Sequence, residues 1–412
     1  MNTTHDPIRH IKYLRQSLSQ DNEAIGFFLS AGCPLSVDMP EGQWPLIPDV
    51  VNLTKYIHSE LSDNEQYAKL ISELEKAEKN KNNIEDILSF LRALVSVSKG
   101  GEVRGLTEEQ LSILEITICE KIAKKINVSL PNSETPYHNL AKWIRSIDRK
   151  IAVEIFTTNY VLLMEQSLEE MEIPYFDGFV GANNPFFDLR ALEDNLIPKH
   201  WSRLWKIHGS INWCQKHVGN QKRVYRTHPN HKESSHLIYP SHLKYEESRK
   251  MPYLALLDQL NRFIRKKSSF LVLSGYSFND GHLNDVIVSA LKSNPTAMVL
   301  GLMYGDYYTD GKEKYPEAYR LAKNQHNLNI WTNDAAIIGT NYGKWFYNEN
   351  NDDDKEIFGF IKKIKIEDSV YCNSNVKEGA NKQVISSQAD SLIKISRIWA
   401  DFFPANTSNQ PI

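Results

Sequence analysis

Two polar side chains in this sequence have the type and setting to share a reaction, Asn159 and His208. Residues 151–160, IAVEIFTTNY, read as a buried strand that stops on Thr157, Thr158 and Asn159. About fifty residues on, Leu204, Trp205, Lys206 and Ile207 read as a second strand, ending on His208, Gly209 and Ser210. In open α/β sheets, ligands bind at the carboxyl ends of the strands, where both side chains are expected. A fixed amide orients a hydroxyl or a water, and an imidazole accepts a proton near neutral pH. Each residue also has a plainer reading. Asn159 can cap the helix that follows it, and His208 can be a core histidine satisfied by backbone.

The elements around this pair repeat one design. The apolar run 24–29 opens into Ser30, Ala31, Gly32, Cys33 and Pro34, a turn whose bare amides could approach an anion, with room for a helix after it. The run 269–273 opens into Ser274, Gly275, Tyr276, Ser277 and Phe278, followed by a helix over 280–292. Turns of this kind recur at dinucleotide sites. Apolar runs at 297–303 and 328–331 continue the β/α alternation, and a helix over 252–267 precedes it. Residues 37–48, rich in proline, read as an irregular loop of the kind that covers a strand-end site. Cys33 reads as a small residue filling a tight turn, and no side chain stands out as a covalent nucleophile with a base partner.

Between the first strand and the Asn159 strand the pattern turns helical, with apolar spacings of three and four over 61–79, 84–97, 107–126 and 137–149. The expected fold class is therefore α/β, a Rossmann-like parallel sheet interrupted by a helical insertion at about 55–149. An amphipathic helix is expected over 5–22, another over 162–171, and a short strand over 179–181. Residues 214–236 are polar and contain His217, His228, His231 and His236, but no spacing demands a metal, and an exposed hairpin or loop is expected. The acidic stretch 349–354 reads as a linker to a small C-terminal segment, 347–412, with a strand at 358–366 and a packing or oligomerisation helix at 386–402.

Bulk properties bound the function. The chain has 412 residues, a net charge of −3 and no long basic run, which argues against direct nucleic-acid binding. There is no run of about 18 apolar residues and no apolar leader, so neither a membrane span nor a signal peptide is expected. The four cysteines, Cys33, Cys119, Cys214 and Cys372, form no CxxC pair. No zinc, no metal site and no disulfide framework are expected, and the compartment is read as cytoplasmic.

Four pieces, SAGC at 30–33, TTNY at 157–160, KIHGS at 206–210 and GYSF at 275–278, resemble in order and spacing the motifs of the sirtuin superfamily. The resemblance covers about residues 20–345 and implies a Rossmann-like NAD-binding domain over 1–346. It implies that Ala31, Gly32 and Cys33 wrap the pyrophosphate and adjacent ribose, and that Thr158 and Asn159 lie beside the nicotinamide ribose. It further implies His208 as general base and Gly275 and Ser277 near the phosphates. The chain departs from the protein deacylases of that superfamily. Ser30 replaces the first glycine of the loop, position 161 is Val161 where an acidic residue is usual, and the loop lacks an Asp-Phe-Arg run. Of the four cysteines of a zinc ribbon after the His-Gly, only Cys214 is present.

What remains is similar to the sirtuin-like NADases of bacterial antiphage defence, most of all the type paired with a HerA-like ATPase. That likeness implies an NAD+ glycohydrolase, releasing nicotinamide and ADP-ribose and depleting NAD in abortive infection. NAD is then the substrate with no further cofactor, and a homo-oligomer and a HerA-like ATPase are the partners. Two other readings stay open: a catalytically silent NAD- or ADP-ribose-binding scaffold for an ATPase, and an NAD-dependent protein deacylase.

Overall fold

In a computed structural model of the chain, residues 4–40, 42–146, 148–218, 221–227 and 252–346 are described. The expected linker at 349–354, the strand and helix of the C-terminal segment, and His228, His231 and His236 lie outside the described residues. The fold is α/β, with a large, mostly parallel sheet consistent with a Rossmann-like architecture. The chain divides into two compact units. The described residues of the first fall within 1–38, 133–155 and 260–412, those of the second within 39–132 and 156–259.

In the first unit the strand order is Thr4–His5, Asn341–Trp345, Ala335–Ile338, Leu328–Trp331, Met298–Leu302, Phe270–Ser274, Ile25–Leu29 and the start of Glu154–Thr157. Ile25–Leu29 and Phe270–Ser274 are parallel, with Leu29 level with Ser274. All five residues of Ile25–Leu29 are buried, as a near-continuous apolar run predicts for a strand covered on both faces. Neighbouring side chains point to opposite faces of a strand. Phe27 meets the edge of Trp143, ring centroids 5.4 Å apart, while a Cβ at Gly26 would lie 2.7 Å from Phe263. Trp143 belongs to the helix Pro136–Ser146.

The helix Pro7–Ser19 starts at Asp6, whose carboxylate accepts from the amides of Ile8 and Arg9. At its other end the Arg149 guanidinium donates to the carbonyls of Leu18 and Gln20, orphan acceptors of a helix C-terminus. Arg149 also stacks over Trp143, 4.7 Å from the ring centroid, and burial lowers its pKa to about 10.

The second unit contains the helices Val50–Glu60, Glu65–Lys76, Ile84–Val97 and Glu108–Ile126. Their starts are written in the sequence. Asp49, Asn64, Asn83 and Thr107 each accept a backbone N–H at the first turn, and Thr107 with Gln110 completes a capping box. Arg92 and Glu115 pair at 2.6 Å between two of these helices. The same unit holds an antiparallel sheet in the order Trp213–Val218, Gln221–Arg226, Phe186–Phe187, Phe179–Val180. It also holds the end of Glu154–Thr157 and the parallel pair Ser202–Lys206 and Tyr175–Phe176.

Three local expectations change. The turn after Ile25–Leu29 leads into a four-residue 3-10 turn, Cys33–Ser36, and among the described residues no α-helix follows before residue 50, where prolines interrupt the loop. The sheet does not end at Leu328–Trp331; two antiparallel strands, Ala335–Ile338 and Asn341–Trp345, and the parallel edge strand Thr4–His5 extend it. Of the polar stretch, the described residues up to Arg226 form an antiparallel pair, Trp213–Val218 with Gln221–Arg226, which begins inside the core, with Trp213 and Cys214 both buried. Among the described residues, no helix is long and apolar enough to cross a membrane.

Candidate active site

In the second unit, the turn carrying Asn159 and the turn carrying His208 are bonded to each other along their length. Glu154–Thr157 ends at Thr157, whose hydroxyl accepts the Asn159 amide at 3.0 Å and bends the chain there. The Thr157 carbonyl accepts from the Ile207 amide at 2.9 Å, and the Tyr160 carbonyl from the Ile211 amide at 3.0 Å. Ser210 Oγ donates to the same Tyr160 carbonyl at 3.2 Å. Asn159 thus lies between the two residues that accept, and His208 between the two that donate. Gly209 allows the second turn: its φ of 98° lies in the region that favours glycine, and its amide donates to Lys206 O at 3.2 Å.

The N-cap position of the helix Leu163–Glu170 is Leu162, three residues beyond Asn159. His208, Thr158 and Asn159 are half-buried. That suits groups meant to meet a ligand at a strand end.

Two residues central to this arrangement were missed by sequence reasoning, Lys206 and Glu165. The Lys206 ammonium is buried and donates to Val161 O at 2.6 Å, to Glu165 Oε1 at 2.7 Å and, more weakly, to Tyr160 O at 3.4 Å. Burial pushes the Glu165 carboxyl up and the Lys206 ammonium down, and their mutual attraction opposes both shifts. Asp177, also buried, adds negative charge nearby and is itself held by Arg226 at 2.6 Å. The signal available was a lysine inside an apolar strand, LWKI, and a glutamate on a helix that buries Leu163, Met164 and Leu168. A charge in such a place requires a partner.

In the first unit, the small-residue turns at 30–33 and 274–277 meet backbone to backbone. Ser30 N–H donates to Ser274 O at 3.0 Å, Gly32 N–H to Gly275 O at 3.1 Å, and Cys33 N–H to Ser30 O at 2.9 Å. A Cβ on Gly32 would lie 2.8 Å from Gly275 Cα, and one on Gly275 would lie 2.6 Å from Cys33 N. Only two glycines allow this approach. Internal bonds therefore set the shape of the loop, and Ala31 is its exposed member.

The turn 275–278 is held from behind. Tyr276 Oη donates to Asn284 Oδ1 at 2.8 Å, and Asn284 Nδ2 donates to Phe278 O at 2.8 Å. Phe278 has a φ of 60°, a conformation costly for a bulky residue and kept by these bonds and by full burial. Ser277 is half-buried on this turn, and Asp280 caps the helix Gly281–Ser293 that follows. Cys33 is buried, its thiol donating to Ser274 O at 3.2 Å, and burial raises its pKa to about 11. It is a packed thiol, not a poised nucleophile. Cys119 and Cys214 are likewise buried, and neither is in a disulfide among the described residues. Among the described residues, no group of three His, Cys, Asp or Glu could hold a metal ion.

The SIR2-like domain family matches residues 153–328, which supports a sirtuin-like family for this protein. That stretch is less than half of the 412-residue chain. It contains Thr158, Asn159, His208, Gly275 and Ser277, and leaves out the loop at 30–33. No curated protein matches the chain.

Gly275→Ala is expected to destabilise the fold by about 2–4 kcal/mol in denaturant unfolding, the sum of a left-handed backbone penalty and a steric clash. Gly311→Ala, with a φ of 74° but open space around it, should carry only the backbone penalty of about 1–2 kcal/mol. Equal losses at the two sites would remove the close approach as the cause. Native Cys33 should resist alkylation by iodoacetamide at pH 8 and react only on unfolding, followed by mass spectrometry of the labelled peptide.

Proposed function

We propose that this protein is an NAD+ glycohydrolase, with Asn159 and His208 as the reacting pair. The observation that carries the reading is the bonded pairing of the two turns in which Asn159 and His208 lie, at the ends of neighbouring strands. The match to the SIR2-like domain supports NAD as the class of ligand.

The chemistry asks little of the protein beyond positioning. The bond between C1′ of the ribose and the ring nitrogen of nicotinamide breaks, and its electron pair neutralises the positive ring. Charge develops at C1′ as in glycoside cleavage. Asn159 orients the attacking water and a ribose hydroxyl, and His208 accepts the proton as the water oxygen bonds to C1′. Nicotinamide, ADP-ribose and one proton are the products. Ala31, Gly32, Cys33, Thr158, Gly275 and Ser277 take the binding roles that the sirtuin resemblance implies for the remainder of NAD.

We extend the proposal to an effector of antiphage defence that depletes NAD in the cytoplasm as a homo-oligomer, with a HerA-like ATPase as partner. This part rests on the resemblance alone.

Purified protein incubated with NAD, alone and with a candidate ATPase, should release nicotinamide without any peptide. Asn159→Ala and His208→Ala should each lower the rate by about 10²–10⁴-fold, read by chromatography of free nicotinamide. Saturable NAD binding with no release under either condition would replace the hydrolase by a binding scaffold.

A further inference from the structure

We infer that Lys206, acting through Glu165 and the carbonyls of Tyr160 and Val161, is the positioning residue that sets Asn159 against His208. This inference rests on the reading of those two as the reacting pair. Lys206 is two residues from His208 in the chain, and its ammonium bonds to the turn immediately after Asn159. One cation, carried two residues before His208, therefore bonds the turn after Asn159, while backbone bonds couple the two turns along their length.

Stability does not account for the arrangement. Both side chains are almost fully buried, 2% and 10% exposed, and Glu165 Oε2 has no hydrogen-bond partner among the described residues. Desolvating two charges offsets most of what their attraction returns, and apolar residues of similar volume are often as stable or better. What apolar residues cannot do is hold Val161 O and Tyr160 O in place. A lysine suits this task because its three donors diverge from one point toward three separate oxygens, whereas an arginine presents a planar fork. Without the ammonium, Val161 O loses the short bond that anchors the turn, and a shift of about 1 Å at a reacting group can cost on the order of 10²-fold in rate.

The test is the double variant Lys206→Met/Glu165→Leu, which removes the ion pair without leaving a lone buried charge. Three measurements are needed: the melting temperature, kcat and KM for nicotinamide release, and amide hydrogen exchange over residues 158–163 in the ligand-free protein. The melting temperature should stay near that of the wild type. The value of kcat should fall by about 10²-fold with KM changed by less than about threefold. Exchange over 158–163 should accelerate at least about tenfold while Ile25–Leu29 stays protected.

A wild-type kcat in the double variant, unchanged exchange, or a loss of rate no greater than the loss of folded protein would each overturn the inference. Should the double variant fail to fold, Lys206→Arg serves in its place, because it keeps a cation beside Glu165. There kcat falls about tenfold or more at constant KM, and a wild-type kcat overturns the inference. If wild-type protein releases no nicotinamide at all, the hydrolase reading fails, and the exchange measurement alone decides whether Lys206 holds the turn.

Discussion

A single buried ammonium group is the constraint on which the paired turns of the second unit depend. Lys206 gives up hydration to bond with Glu165 and with the backbone just beyond Asn159, so its position and that of the turn are fixed together. The backbone bonds from Ile207 to Thr157 and from Ile211 to Tyr160 then bring His208 to the same strand ends. A strand end without such support would present the same side chains with more freedom.

The first unit solves a related problem with backbone alone. Parallel strands Ile25–Leu29 and Phe270–Ser274 finish level with each other, so the turns that follow them collide unless both contain a glycine at the crossing. Gly32 and Gly275 allow the crossing, and the bonds between 30–33 and 274–275 close it. The Tyr276–Asn284–Phe278 network behind the second turn maintains a backbone conformation that Phe278 would not adopt unaided. In both units the turns are held by hydrogen bonds among buried and half-buried groups.

The absence of a cysteine-rich ribbon sets this chain apart from the deacylases that its motifs otherwise resemble. Where such a ribbon would follow His208, the chain instead runs into a hairpin rooted in the core by Trp213 and Cys214. Trp213 packs against Phe179, ring centroids 5.1 Å apart, so the small antiparallel sheet is built on aromatic packing.

How much of this was legible in the sequence varies with the range of the physical interaction. The central strands were readable because burial on both faces demands unbroken apolar runs, and Leu328–Trp331 fell where its residues predicted. The helices beginning at Ile84 and Glu108 were readable to within a residue from apolar spacing, and the caps at Asn83 and Thr107, bonds between near neighbours in sequence, fix those starts. The strands Ala335–Ile338 and Asn341–Trp345 were not, since such short strands are defined by their pairing partners more than by their composition. The same division applies to the site. Asn159 and His208 stood out by type and by their place at strand ends, and so did the two glycine turns. That Lys206 meets Glu165, and that Gly32 meets Gly275, was decided only by the tertiary structure. The partners lie 41 and 243 positions apart, and strand register and burial, not local sequence, determine which distant atoms must satisfy or accommodate one another.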